Sequence, residues 1–284
     1  HLSIRRQRQM CIRDSLDAFI DTPEEGRRRV GVVLQSYGDH WNIAGGVFGE
    51  GVATAGNGNN EDWGTAGRVV VAPIVGESRL VAVGGSVYYR EFESTSGLRY
   101  SNRPEAHLAD FRLVDTGVLM TSRDDLMYNF EGSVVFGPFH AQGEYTGARV
   151  KRSGADANLA FDGWYAQAGW FLTGESRNYD MKSAQYKGVT PKRRIGAWEI
   201  AARYSKIDLE DENILGGRES NVTAGLNWWV NYNIMIRFNY VRAWLEPNTA
   251  LIQTSPPPGS PGPLILGGID ETVNAFMGRL QIVF

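Results

Sequence analysis

Cysteine and histidine are almost absent: 284 residues contain one cysteine, Cys11, and four histidines. A lone thiol excludes an intramolecular disulfide framework and a multi-cysteine metal site. His1, His40, His107 and His140 have no metal-ligand spacing, so no metal or other cofactor is expected. Long apolar runs are missing too. Nothing approaches the ~18 to 20 consecutive apolar residues that a membrane-spanning helix requires. There is no basic excess, since 29 Lys and Arg stand against 32 Asp and Glu for a net charge of -3. Nothing therefore points to a nucleic-acid partner, which would demand a cationic surface. The stretch "GGVFGEG" at 45–51 lacks the strand-to-helix context of a phosphate loop. The nucleophile elbow G-x-S-x-G is absent as well, and "GGSVY" at 84–88 reads as the interior of a strand.

What the chain does contain is 34 glycines, 12 tyrosines, 12 phenylalanines and 8 tryptophans, a mixture that suits strands and tight turns. From residue 27 onward, alternating segments of about ten residues are separated by turn chemistry, the length of a tilted strand crossing a bilayer. Examples are "RVGVVLQSY", "TAGRVVVAPIV", "FHAQGEYTGARV", "GAWEIAARYSKI" and "NIMIRFNYVRAWL". Template matching gives about eleven such strands. The segment "RPEAHLADFRLV" would be a twelfth, but counting it breaks the up-down parity, and it reads as loop. Tight turns at "GD", "GES", "GP" and "NY" interleave with longer polar connections at 50–64, 92–125, 151–158, 207–218 and 246–270. Short turns on one rim and long loops on the other are the habit of outer-membrane barrels. One long connection, 173–194, falls on the short-turn rim.

Each strand has one apolar and one mixed face. Trp198, Ile200, Ala202 and Tyr204 alternate with Glu199, Ala201 and Arg203; Ile234, Ile236, Phe238 and Tyr240 alternate with Met235, Arg237, Asn239 and Val241. A soluble sandwich shares this alternation, and periodicity alone does not say which face is enclosed. Strand length, the closing "FMGRLQIVF" and aromatics at strand ends such as Trp228, Tyr232, Tyr240 and Trp244 favour an all-β, antiparallel transmembrane β-barrel of about 11–12 strands. Phe284 is then expected on its lipid face.

Several stretches carry a resemblance to a known family: "GWYAQAGWFLTGESRNYD", "GAWEIAARYSKIDLED", "VTAGLNWWVNYNIMIRFNYVRAW" and "NAFMGRLQIVF", with "RRRVGVV", "AGGVFG", "NRPEAH" and "LVDTG" upstream. From about residue 17 to 284 the chain resembles the phosphate-selective porin O and P family. The resemblance implies a trimeric barrel of about sixteen strands in the bacterial outer membrane. The strands here would be roughly the sixth to the sixteenth, and "LDAFIDTPEEG" the tail of a constricting third loop. Residues 16–284 then form an incomplete porin domain that cannot close alone, because unpaired strand edges are not tolerated in lipid. Residues 1–15, "HLSIRRQRQMCIRDS", lack the apolar core of a signal peptide and read as a non-native leader. The resemblance also implies that 92–125 and 173–194 fold into the lumen. The first carries Arg99, Arg103 and Arg112; the second carries Lys182, Lys187, Lys192, Arg193 and Arg194.

The expected function is passive diffusion that favours inorganic phosphate or other small anions, with no covalent chemistry. Selectivity would come from pore width and the field of lining side chains, for which arginine's planar, permanently charged fork suits phosphate. Alternation places Arg68, Arg90, Arg203, Arg237 and Arg279 on the lumen face, joined by Arg99, Arg103 and Arg112 from the inserted loop. Glu131, Glu144 and Glu199 face the same way, so pairing across the wall competes with conduction. The alternatives are a general porin with little anion preference, a non-conducting barrel, and a barrel-wall lipase. The last would need Ser133 and His140 on the lipid face, whereas both count as lumen-facing.

Overall fold

The structure, a computed structural model, describes residues 29–51, 63–92, 98–103, 105, 112–246 and 271–282. The expectations for residues 1–15, for the third-loop tail, for most of "RPEAHLADFRLV" and for Phe284 lie outside the described residues. Eleven long strands form one antiparallel sheet: β1 (Arg29–Tyr37), β2 (Trp41–Gly51), β3 (Trp63–Gly76), β4 (Arg79–Glu91), then β7 (Ser122–Phe136), β8 (Phe139–Arg152), β9 (Leu159–Phe171), and finally β12 (Ala197–Asp211), β13 (Ile214–Trp229), β14 (Ile234–Glu246) and β15 (Glu271–Ile282). Each pairs with its neighbour in chain order, and β1 and β15 are the two edges. The sheet is therefore not closed on itself. Two small hairpins stand outside it: β5 (Ser101–Asn102) with β6 (Val114–Asp115), and β10 (Tyr179–Asp180) with β11 (Gln185–Tyr186). They fall within the two connections expected to fold inward.

The burial of alternate residues decides which face is enclosed. Along β12 the exposed side presents Ile200, Ala202 and Tyr204, while Glu199, Arg203 and Ser205 are buried. In β13 and β14 the exposed Val222 and Phe238 stand against buried Asn221, Thr223, Asn227, Arg237 and Asn239. A soluble sandwich would show the reverse, with apolar side chains inside. Apolar outside and polar inside is the arrangement of a wall between lipid and water.

The polarity inverts beyond the bilayer. Outward on β12, Tyr204 gives way to Lys206, Asp208 and Glu210, while the inward positions become Ile207 and Leu209, both fully buried. These two join Phe92, Leu98, Tyr100, Val114, Leu119, Val150, Leu159 and Phe161 in a core packed inside the mouth of the curved sheet. The β5–β6 hairpin docks on it. At the opposite rim, Phe171, Val189, Ala197, Trp229 and Met235 pack together, and Met181 and Ala184 pack onto Val70, Ala72, Leu80 and Val135. Aromatics on the outer face mark that rim, with the Trp198 and Trp228 rings stacked at 5.0 Å.

One expected loop is absent. Residues 207–218 are not a polar connection, because the β12–β13 ladder continues from Asp208 opposite Arg218 to Asp211 opposite Ile214. Only Glu212 and Asn213 turn the chain, with Glu212 in the left-handed region at φ 51°. The acidic run reads as loop in sequence because its charges lie on the outward face above the lipid, where Arg218 bonds Asp208 at 2.6 Å and approaches Glu210 at 3.3 Å.

Candidate pore-lining site

The inner face of the sheet and the two docked hairpins together make the candidate site. All five arginines placed inward by alternation do lie on the inner face, but their surroundings differ. Arg68 on β3 donates through Nε and Nη2 to the two oxygens of Glu131, both at 2.8 Å, and through Nη2 to Ala184 O at 3.1 Å. Arg90 at the end of β4 makes the same fork with Asp125, at 3.0 and 2.5 Å, and Asp125 also accepts from the Tyr100 hydroxyl at 2.6 Å. Arg203 meets Glu105, with Nε 2.9 Å from Oε1. Arg237 contacts Met235 Sδ at 3.1 Å and Gln281 Oε1 at 3.3 Å. It lies directly opposite Arg279, which is exposed on the same face of β15.

The three arginines of the inserted loop sit on or beside the β5–β6 hairpin. Arg99 forks onto Asp115 with Nε–Oδ1 at 2.8 Å, and Arg112 donates to Ser101 Oγ. Arg103 is half-buried, and its carbonyl accepts from the Glu105 N–H at 2.7 Å. In the second insert, Lys187 pairs with Asp180 at 3.2 Å and Lys182 Nζ stands 5.7 Å above the Tyr37 ring. Lys192, Arg193 and Arg194 are exposed on the connection leading into β12.

Among the described contacts, Arg68, Arg90, Arg99 and Arg203 face a carboxylate directly. A buried guanidinium needs such a partner to offset its desolvation, and a paired guanidinium offers less field to a passing ion. Arginine count alone therefore overstates the positive potential of the wall.

Several participants were not singled out by sequence. Asn42, buried on β2, donates through Nδ2 to Met181 O at 2.8 Å and Lys182 O at 3.0 Å, tying the β10–β11 hairpin to the far side of the sheet. Gln35 adds a bond to Lys182 O at 2.8 Å. Arg177, whose Cζ is 5.1 Å from the Tyr186 ring centroid and 5.9 Å from that of Trp229, wedges the same segment against the wall. At its root the Glu175 carboxylate accepts from the Thr173 hydroxyl and from the Lys192 N–H, the latter at 3.0 Å. Burial pushes that carboxyl up, but these donors outweigh it and hold its pKa below the ordinary value. A small cleft between this hairpin and the wall is lined by Arg68, Glu131, Gln142, Glu144, Tyr179 and Tyr186.

His140 and Glu199 meet at 2.5 Å across the strand between them, β9, and Asn227 completes the carboxylate at 2.9 Å. The crossing is open because the intervening residue is Gly169, where a Cβ would come within 2.4 Å of His140 Nε2. Ser133 Oγ is bonded to the Tyr186 hydroxyl. Neither His140 nor Ser133 stands on the lipid face, so the lipase arrangement is not formed. Among the described residues no cluster of His, Cys, Asp or Glu could hold a metal ion.

The sequence matches the family described as phosphate-selective porin O and P over residues 16–249. It is 31% identical over 247 residues to Porin O of Pseudomonas aeruginosa, covering 76% of this chain and 52% of that protein. It is also 30% identical over 229 residues to an uncharacterised protein of Caulobacter vibrioides, covering 75% of this chain and 45% of that one. The chain spans about half the length of these relatives.

Proposed function

Since the chain belongs to the phosphate-selective porin O and P family, whose members are porins of the bacterial outer membrane, we propose that the complete protein is a passive diffusion channel favouring small anions, inorganic phosphate among them. The observation that carries this reading is the sheet's polarity: an exposed apolar face backed by a buried face of Arg, Asn, Thr, Ser and Glu. A wall of that kind encloses water rather than an oily core.

The anion preference rests on position rather than on net charge. Arg237 and Arg279 are direct cross-strand partners on the inner wall, and like charges so placed repel unless an anion lies between or near them. Guanidinium groups on a water-filled wall bind an oxyanion by paired hydrogen bonds and release it when binding at each point is weak. Contact with outer-membrane lipid and assembly as a homotrimer belong to the same proposal. The second reading, a general porin with little anion preference, is favoured by the pairing of Arg68, Arg90, Arg99 and Arg203 with carboxylates.

Reversal potential in a planar bilayer under a salt gradient separates the two. Displacement toward the chloride potential, with chloride current blocked by added phosphate, is the expected result for the complete protein. A reversal potential near zero without phosphate block would leave the general porin.

A further inference from the structure

The β5–β6 hairpin delivers one carboxylate into the wall. Glu105 Oε1 accepts from Ser205 Oγ at 2.6 Å and lies 2.9 Å from Arg203 Nε, and its Oε2 accepts from Thr223 Oγ1 at 2.7 Å. The three wall residues are set by the sheet itself. Arg203 and Ser205 are alternate, inward positions of β12, and Thr223 on β13 is the direct cross-strand partner of Arg203. The guanidinium is steadied over the Tyr165 ring, 3.7 Å from its centroid, and by Gln167 Oε1 at 3.4 Å. Arg203, Ser205 and Thr223 are 2%, 0% and 1% exposed, and Glu105 is 6% exposed.

The two sides of this contact are not equally rigid. The donors stand on paired strands, whereas Glu105 stands on a connection with its backbone at φ 31°, in the region that disfavours side-chain-bearing residues. A guanidinium at ion-pair distance from a carboxylate, with two hydroxyls donating to its two oxygens, is the kind of arrangement that can receive an oxyanion, planar or tetrahedral. Its present occupant is a carboxylate carried by the same chain. Glu219, buried two inward positions beyond Thr223, accepts from Asn221 Nδ2 at 2.8 Å beside the cradle.

We propose that Arg203, Ser205 and Thr223 form an oxyanion-binding site on the inner wall, with the Glu105 carboxylate as its tethered occupant, so that inorganic phosphate takes the site when Glu105 withdraws. Tethering gives Glu105 a high effective concentration at the cradle, and a free anion must compete with it. The inference uses the channel reading for the route by which phosphate arrives, and the geometry of the cradle does not depend on it.

The test compares the complete protein with E105Q and with E105Q/R203M in detergent, following the melting midpoint as inorganic phosphate is added. A ligand that binds only the folded state raises that midpoint. In E105Q the half-effect should fall at a phosphate concentration about ten-fold or more below that of the parent, because the tethered competitor is gone. R203M should remove the gain. If E105Q does not fold, E105D, which keeps the charge but shortens the reach, should show the same change at smaller size. Identical phosphate responses in the parent and the Glu105 variants, or a gain that survives R203M, would overturn the proposal. A parent that melts normally yet conducts nothing in a bilayer would count against the channel reading alone, with the melting comparison still deciding the cradle.

Discussion

At the scale of single residues, the inner wall is held by charges that have found partners. Arg90 and Asp125 are one such enclosed pair, with side chains 5% and 0% exposed and Tyr100 closing the second carboxylate oxygen. Arg90→Ala would strand Asp125 in the interior, and breaking such a pair costs about 3–5 kcal/mol. Replacing both partners by apolar residues of similar volume should cost far less. Denaturation midpoints of the single and double variants check this. Gly169 supplies a second case. Gly169→Leu forces a side chain into the path between His140 and Glu199, and overpacking of that kind costs about 1–3 kcal/mol. The loss should be read as a lower midpoint, with Gly169→Ala intermediate.

At the scale of elements, the strands work as two-sided boards and the inserts as parts fastened to them. Ile200 lies on the lipid face of β12 and is 49% exposed. Ile200→Arg should lower folding stability in vesicles by about 2–4 kcal/mol if it sits near the midplane, whereas Ala201→Ser on the opposite face should be nearly neutral. The 173–194 insert depends on hydrogen bonds from the facing wall. Asn42→Leu removes the two donated to Met181 O and Lys182 O. Each is worth about 0.5–1.5 kcal/mol, so faster proteolysis within 175–190 is expected. Glu175 makes the root of this insert sensitive to acid. Its folded pKa lies below the ordinary 4.5, so its stabilisation is present above that value and is lost as pH falls through the lower folded one. Amide exchange at Lys192 should therefore accelerate in acid, and Glu175→Gln should flatten the dependence.

At the scale of the whole molecule, the pattern of strands was legible because alternation and turn chemistry are local: Trp198 to Tyr204 and Ile234 to Val241 declare two faces without help from any other element. The inward direction of Arg68, Arg90, Arg203, Arg237 and Arg279 followed from the same count. Their partners did not, since Glu105 and Arg203 are almost a hundred positions apart and meet only through the docking of a hairpin. The β12–β13 turn was hidden for another reason. Above the bilayer the apolar and charged faces exchange sides, so Lys206, Asp208 and Glu210 resemble a loop when they are the outside of a strand. Among the described residues β1 and β15 are the unpaired edges of the sheet, and a sheet edge in lipid needs a partner strand.

The claim on which all of this depends is that one face of the sheet meets lipid and the other meets the water of a pore. Arg279 and Leu280 are adjacent on β15 and point to opposite faces. In the complete protein, freed of any other thiol, Arg279→Cys and Leu280→Cys should be treated in a planar bilayer with a small, charged, water-soluble thiol reagent while the current is recorded. Arg279→Cys should react and change the current, while Leu280→Cys should stay silent. Reaction at Leu280→Cys with none at Arg279→Cys would contradict the claim.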